Sequence, residues 1–340
     1  MPVEWGGDLC LKEAALRENL ALIVPLDSPI TMRSMREGDL SEADRVFRLA
    51  FGTFLGLPDP MMFMGDAQCV RTRWLADPSA AFVAEAEGEL VGSVFIANWG
   101  SVGFFGPLTV RPDYWDRGVA KHLMRTTENC FARWNTGLAG LFTMSDSPKH
   151  LGLYQKFGYL PGSLVAIVTR DIPHETCGPR TSWFSEAGTE ERAAMLSACR
   201  EASDSVYPGL DLSVEITSVH NQSLGDTVLL WDGDRLEGFA VCHMGPGSEA
   251  GGGRCYVKFG AVRPGSDAEG SFSDLVEGCA ALGAARGARI LVAGVNTARR
   301  RAYAALLRDG FRIQHLGVCM TRGGLIGYNG PDDLVMDDLR

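Results

Sequence analysis

At 340 residues, with 46% hydrophobic and 22% charged residues, the chain is long enough for two globular domains with buried cores. No run approaches the roughly 20 apolar residues of a membrane helix, the opening segment has no basic start leading into an apolar run and so reads as no signal peptide, and a net charge of −10 disfavours nucleic acid, whose phosphates need clustered Lys and Arg. An acidic cytoplasmic protein is expected, with neither membrane nor nucleic-acid partner, and its charge suits cationic substrates such as amines.

In chain order, an extension over 1–29 carries a short amphipathic helix around Leu11–Leu22. Ala81–Ala86, Glu87-Gly88 and Leu90–Ala97 read as strand, tight turn, strand. Phe104–Val110 is a third strand, stopped by Pro112 because proline cannot donate to a ladder. After Gly118, the residues Val119, Leu123, Met124, Cys130 and Phe131 keep near-helical spacing. A short strand (Leu141–Met144), a second helix and the pair Gly158-Tyr159, which opens a last strand, complete the first half. The stretch Asp171–Ser182, with Pro173, Gly178 and Pro179, is the expected linker.

The same order then returns. Thr227–Trp231, Asp232-Gly233 and Leu236–His243 form a hairpin, and Cys255–Val262 a third strand. Gly245–Arg254 between them is a glycine-rich, flexible hairpin loop; no helix follows it, so it is no phosphate loop. A helix follows Gly270, carrying Phe272, Leu275, Val276, Cys279 and Leu282, and after it come Ile290–Val295, a further helix and Gly310-Phe311. The tail Tyr328–Arg340 is acidic and has no mechanistic reading.

Four matches share the offset 152: the V-R-P at Val110 recurs at Val262, Gly118 at Gly270, Leu123 at Leu275, and Gly158-Tyr159 at Gly310-Phe311. One shared offset across so long a stretch points to a duplicated domain. Nine cysteines without C-x-x-C or Cys/His spacing read as free buried thiols in a reducing compartment, with no metal site.

The informative segment is LTVRPDYWDRGVAKHLM, Leu108–Met124. A strand ends, a loop follows, and a helix opens at the small-x-small step Gly118-Val119-Ala120. Small residues let backbone N–H groups approach a ligand, and the helix N-terminus adds about half a positive charge, a combination that suits pyrophosphate. Arg117 adds a cation at the same place.

These residues resemble the Q/R-x-x-G-x-G/A motif of the GNAT superfamily of acetyl-CoA-dependent N-acyltransferases. Gly118 and Ala120 match its two small positions, while Trp115 stands where Gln or Arg is usual. The resemblance implies acetyl-CoA as cofactor, its pyrophosphate on the loop Trp115, Asp116, Arg117, Gly118, Val119, Ala120 and its pantetheine arm along Leu108, Thr109 and Val110. The segment LGLYQKFGYLPG (Leu151–Gly162) resembles the family's L-Y-x-K-x-G-F/Y signature, which implies that Tyr154 is the general acid for the departing thiolate; the plain alternative is a packed core tyrosine. Ser147 falls where many relatives carry an Asn that touches the cofactor. Phe51–Met64 falls where the family places a substrate loop; its Phe51, Phe54, Met61, Met62 and Phe63 line a pocket or serve as core and interdomain contacts.

The fold class that follows is mixed α/β, a mostly antiparallel sheet flanked by helices, in two tandem GNAT-like domains (30–170 and 183–340). In the second, Glu269 replaces Arg117, Phe272 replaces Ala120 and Leu306 replaces Tyr154, with Tyr303 one turn earlier, so that domain reads as having lost the cofactor. The implied reaction is direct attack of a small-molecule or peptide amine on the acetyl carbonyl, polarised by the backbone N–H near Val110. Asp146 and Glu85 are candidate bases, or else solvated or capping carboxylates. A catalytically silent acyl-CoA-binding protein is the alternative reading, and a homodimer is compatible with either.

Overall fold

The computed structural model describes residues 29–173 and 181–340; the helix expected near Leu11–Leu22 and most of the linker lie outside them. In the first half are strands β1 (Thr31–Ser34), β2 (Ala81–Ala86), β3 (Glu89–Trp99), β4 (Val102–Val110), β5 (Leu138–Thr143) and β6 (Tyr159–Asp171). The second half carries β7 (Thr181–Trp183), β8 (Gly225–Asp232), β9 (Arg235–Gly245), β10 (Gly251–Val262), β11 (Ile290–Asn296), β12 (Arg312–Arg322) and β13 (Val335–Asp337). Helices α1 (Leu40–Phe54), α2 (Val70–Ala76), α3 (Val119–Trp134) and α4 (Pro148–Gln155) belong to the first half. Helices α5 (Thr189–Val206), α6 (Ser213–Asn221), α7 (Ala268–Ala285) and α8 (Arg300–Arg308) belong to the second.

All strands join one mixed sheet in the order β1-β2-β3-β4-β5-β12-β6-β11-β10-β9-β8-β7, with β13 added against β10. Among the described residues, only β4·β5 and β10·β11 pair in parallel. Period-2 alternation sends Phe95, Phe104 and Phe239 to one face under α1, α2, α5 and α6, and Ile96, Phe105 and Ala240 to the other under α3, α4, α7 and α8. The expected mixed, mostly antiparallel sheet flanked by helices is the one observed.

The halves interlock. The boundary expected at 171–182 divides the chain, but in the sheet β6 of the first half lies between β12 and β11, and β12 of the second lies between β5 and β6. From β4 onward the elements keep the offset 152: Leu138 opens β5 and Ile290 opens β11, while Pro148 opens α4 and Arg300 opens α8.

Three expectations need correction. The strand expected at Leu141–Met144 begins at Leu138, because Leu138, Ala139 and Gly140 pair with β4. The helix expected after Gly270 already begins at Ala268, so Gly270 lies in its first turn. The turn between Gly245 and Gly251 is docked on the first half: the Gly247 amide donates to Asp66 O at 3.0 Å, and the Gln68 amide to Ser248 O at 2.9 Å. Seven cysteines are free and buried among the described residues, and none of the described helices is long and apolar enough to cross a membrane.

Arg299 is a buried clamp, 1% exposed. Its guanidinium donates to Val335 O at 3.1 Å, Asn329 Oδ1 at 3.0 Å and buried Asp337 Oδ2 at 3.0 Å. Arg299→Ala leaves Asp337 buried without its cation, and an uncompensated buried charge costs about 3–5 kcal/mol. Urea unfolding should show that loss, whereas Arg299→Met/Asp337→Leu should lose much less.

Candidate active site

The parallel ladder between β4 and β5 runs only from Val102↔Leu138 to Phe104↔Gly140. Beyond Phe104 the strands part, and β4 continues to Val110 paired only with β3. The gap opens into a cavity of about 490 Å³, lined by Leu108–Val110 of β4, the first turn of α3, Pro148–His150 and Gly152–Tyr154 of α4, and Ala50, Phe51 and Phe54 of α1.

At one end of the cavity, Asp116 (φ 64°) and Gly118 (φ 86°) both adopt the left-handed conformation, turning the chain into α3. A helix start leaves its first amides without intrahelical partners. Here the amides of Tyr114, Trp115, Arg117 and Lys121 are bonded locally, whereas those of Asp116, Gly118, Val119 and Ala120 enter no turn or cap bond among the described residues. A Cβ on Gly118 would meet nothing within 4 Å, so the space before those amides is open. Lys149 brings a cation to the mouth, 2.9 Å from Asp116 and over the Trp115 ring.

At the other end stands Tyr154, 7% exposed and edge-on to Phe105. Burial pushes its phenol up to about 12, opposed by a hydrogen bond with Thr143. The phenol is therefore protonated across the physiological range, the state a proton donor needs.

Leu108, Thr109, Val110, Trp115, Asp116, Gly118, Val119, Ala120 and Tyr154 all line this cavity. Arg117 is not among the lining residues; its guanidinium lies on the Tyr114 ring, 5.1 Å from the centroid, as does that of Arg111 at 4.7 Å. The Trp115 indole donates to Val110 O at 2.7 Å, which ties the loop back to the strand in place of a Gln or Arg side chain. Ser147 is the N-cap of α4, its hydroxyl accepting from the His150 amide at 3.4 Å. Of the segment Phe51–Met64, Phe51 and Phe54 reach the cavity, Phe63 stacks on Phe51 at 5.2 Å, and Met61 and Met62 are exposed.

Neither candidate base lies in the cavity. Glu85 is paired with Arg33 at 2.9 Å, and Asp146 is exposed outside the lining. His150, which the sequence did not single out, does line it, half-buried against Phe54 at 4.8 Å with Nδ1 unpartnered. Burial, and then Lys149, lower its pKa, keeping the imidazole neutral and able to accept a proton.

In the second half the equivalent gap is filled. β10 and β11 pair from Arg254↔Ile290 to Val257↔Ala293 and then part, at the same offset of 152 from Val102 and Leu138. Into the gap comes β13, with Val335, Met336 and Asp337 paired to Ala261, Gly260 and Phe259. Those β10 positions correspond to Thr109, Leu108 and Pro107, so β13 takes the strand edge that is open in the first half. Gly294 of β11 admits it: an added Cβ would sit 2.4 Å from Asp338 Cβ. Leu306 and Phe272 are fully buried there, and Glu269 is paired with Arg308 at 2.8 Å.

The family model for acetyltransferases of the GNAT family matches residues 45–159. Over 83 residues the chain is 34% identical to an acetyltransferase of Pectobacterium atrosepticum, covering 24% of this chain and 59% of that protein. It is 32% identical over 83 residues to an acetyltransferase of Sodalis glossinidius, covering 24% and 58%. The chain thus spans less than three fifths of the curated relatives it matches. In fold it is similar to a Pyrococcus horikoshii structure, with TM-score 0.64 at 15% identity over 91% of this chain and 95% of that one. It is also similar to a GCN5-related N-acetyltransferase from Sphaerobacter thermophilus, with TM-score 0.53 at 15% identity over 87% and 97%. At such identities the likeness concerns fold alone.

Proposed function

We propose, from the match of residues 45–159 to the GNAT acetyltransferase family model, that the chain is a cytoplasmic acetyl-CoA-dependent N-acetyltransferase acting on a primary amine. Its two halves descend on this reading from one duplicated domain, of which only the first works. The observation that carries the proposal is the cleft between β4 and β5, which runs from the free amides of Gly118, Val119 and Ala120 to the protonated phenol of Tyr154.

The residues present fit the cofactor. The amides of Gly118–Ala120 and the α3 N-terminus hold the pyrophosphate, with Lys149 as added cation. The edge of β4 from Leu108 to Val110 would pair with the pantetheine arm, and a backbone N–H of that edge, on the side away from the phosphate loop, would polarise the reacting carbonyl. Bound acetyl-CoA supplies an activated acetyl thioester. His150 would take one proton from the incoming ammonium, directly or through water; as the amine nitrogen bonds the carbonyl carbon and the C–S bond breaks, Tyr154 would protonate the sulfur and regain a proton from the new amide nitrogen.

Incubating the full chain with acetyl-CoA and a panel of primary amines tests this, reading free thiol and the mass of the amine. Thiol release matched by acetylated amine supports the proposal. Acetyl-CoA binding without transfer to any amine would favour the silent acyl-CoA-binding protein instead.

A further inference from the structure

A second cavity, about 280 Å³, lies on the α1/α2/α5/α6 face, between α2, α6, β3 and the turn after β9. Gly106 lines it, while Leu108, two residues along β4, lines the first cavity. At about 3.3 Å per strand residue the two spaces adjoin one short stretch of β4. Phe95, Trp99, Phe104 and Leu224 give it an apolar body.

Its charged lining is two cations, Arg73 and Lys258, against four carboxylates, Asp77, Asp211, Glu215 and Glu249. Most of these are already committed. Glu249 holds both cations, Arg73 at 2.7 Å and Lys258 at 2.5 Å, and Arg73 also binds the Gly106 carbonyl. Asp77 accepts from Ser79, and Asp211 pairs with Arg200 at 2.8 Å.

Glu215 is different. Among the described residues it receives only the Trp99 indole N–H, at 3.4 Å, and faces His243 Nε2 at 3.5 Å. His243 is 2% exposed, and neither ring nitrogen has a hydrogen-bond partner. Nε2 already has the Glu215 carboxylate at ion-pair distance, so Nδ1 is the buried nitrogen left unmatched, and a ligand donor is its economical partner. Burial raises the Glu215 carboxyl, but His243 and the charge of Lys258 outweigh it, leaving the group ionised.

We propose that this cavity is the acceptor site, and that Glu215 and His243, both from the second half, bind the ammonium of a compact primary amine whose apolar body lies against Trp99 and Phe104. The inference rests on the acetyltransferase reading above and gives the second half a task despite its filled cleft.

The probes are phenethylamine and tryptamine, with phenethyl alcohol as the neutral control, titrated calorimetrically into the full chain. Amine binding should weaken about tenfold to a hundredfold in Glu215→Gln, the range expected for a lost charge-assisted hydrogen bond. Val214→Trp, at an exposed lining position that tolerates change, should block it as well. Acetyl-CoA affinity should stay within about twofold in both, and KM for the amine should rise more than kcat falls. No amine binding to wild type, equal binding of the alcohol, or binding untouched by both variants overturns the assignment. Acetyl transfer that proceeds unchanged in Glu215→Gln sinks this site and leaves the transferase reading standing. Binding that depends on Glu215, with no transfer from acetyl-CoA, does the reverse.

Discussion

Gly118→Glu is expected to weaken acetyl-CoA binding by roughly a thousandfold. The new carboxylate enters space that is open in front of the free amides of Val119 and Ala120. Two like charges at ~4 Å cost on the order of 4 kcal/mol at an effective dielectric of ~20, and each 1.4 kcal/mol is about tenfold. Conformation adds a smaller cost, because φ at Gly118 is 86° and a side chain there is strained by roughly 1 kcal/mol. Gly118→Ala separates the two effects: it carries the strain without the charge and should lose affinity only modestly. Gly270→Glu, in the first turn of α7 beside the filled cleft, should bind acetyl-CoA within about twofold of wild type. Calorimetry on the three variants reads all of this directly.

Tyr154→Phe should lower kcat by about 10²–10³, the range for losing a positioned proton donor. Its affinity for acetyl-CoA should barely move, since the ring still packs on Phe105 and the hydroxyl makes no contact with the phosphate loop. Burial lifts the phenol to about 12, so the acid form persists at every pH below that value. Wild-type kcat should therefore show no alkaline loss from this group between pH 7 and 10. Stopped-flow thiol release across that range, for wild type and Tyr154→Phe, measures both effects. A kcat within threefold of wild type for the variant would move the proton donor elsewhere.

Much of this is legible in the sequence. The offset of 152 shows in the sequence because β4, α3 and α4 bury equivalent positions in both halves, Phe105 and Val257, Leu123 and Leu275, Met124 and Val276, Tyr154 and Leu306. The small-x-small step at Gly118–Ala120 marked the helix start because a left-handed turn there needs glycine. The strand exchange was not legible: alternation in β6 and β12 is satisfied by either neighbour, and register across a sheet carries no local signal. Nor was β13, three residues of an acidic stretch whose partner is β10 and whose anchor is Arg299, far away in sequence. His150 and His243 are lone histidines in the sequence, and only burial without a partner sets them apart. Ser147 was read against an absent Asn, whereas in the structure it caps α4 ahead of Pro148.

On the proposed reading, the filled cleft accounts for a single cofactor site per chain. β13 offers β10 the backbone hydrogen bonds that an extended ligand arm would otherwise make, Arg299 binds it at Val335 O and Asp337, and Asp338 just after it accepts from the Tyr256 hydroxyl of β10. The central claim is thus one open cleft in the first half and one occupied by the chain itself. Titrating wild-type protein with acetyl-CoA by calorimetry tests it most directly. The account predicts one site per chain, lost in Gly118→Glu and kept in Gly270→Glu. Two sites per chain, or a single site lost only in Gly270→Glu, would contradict it.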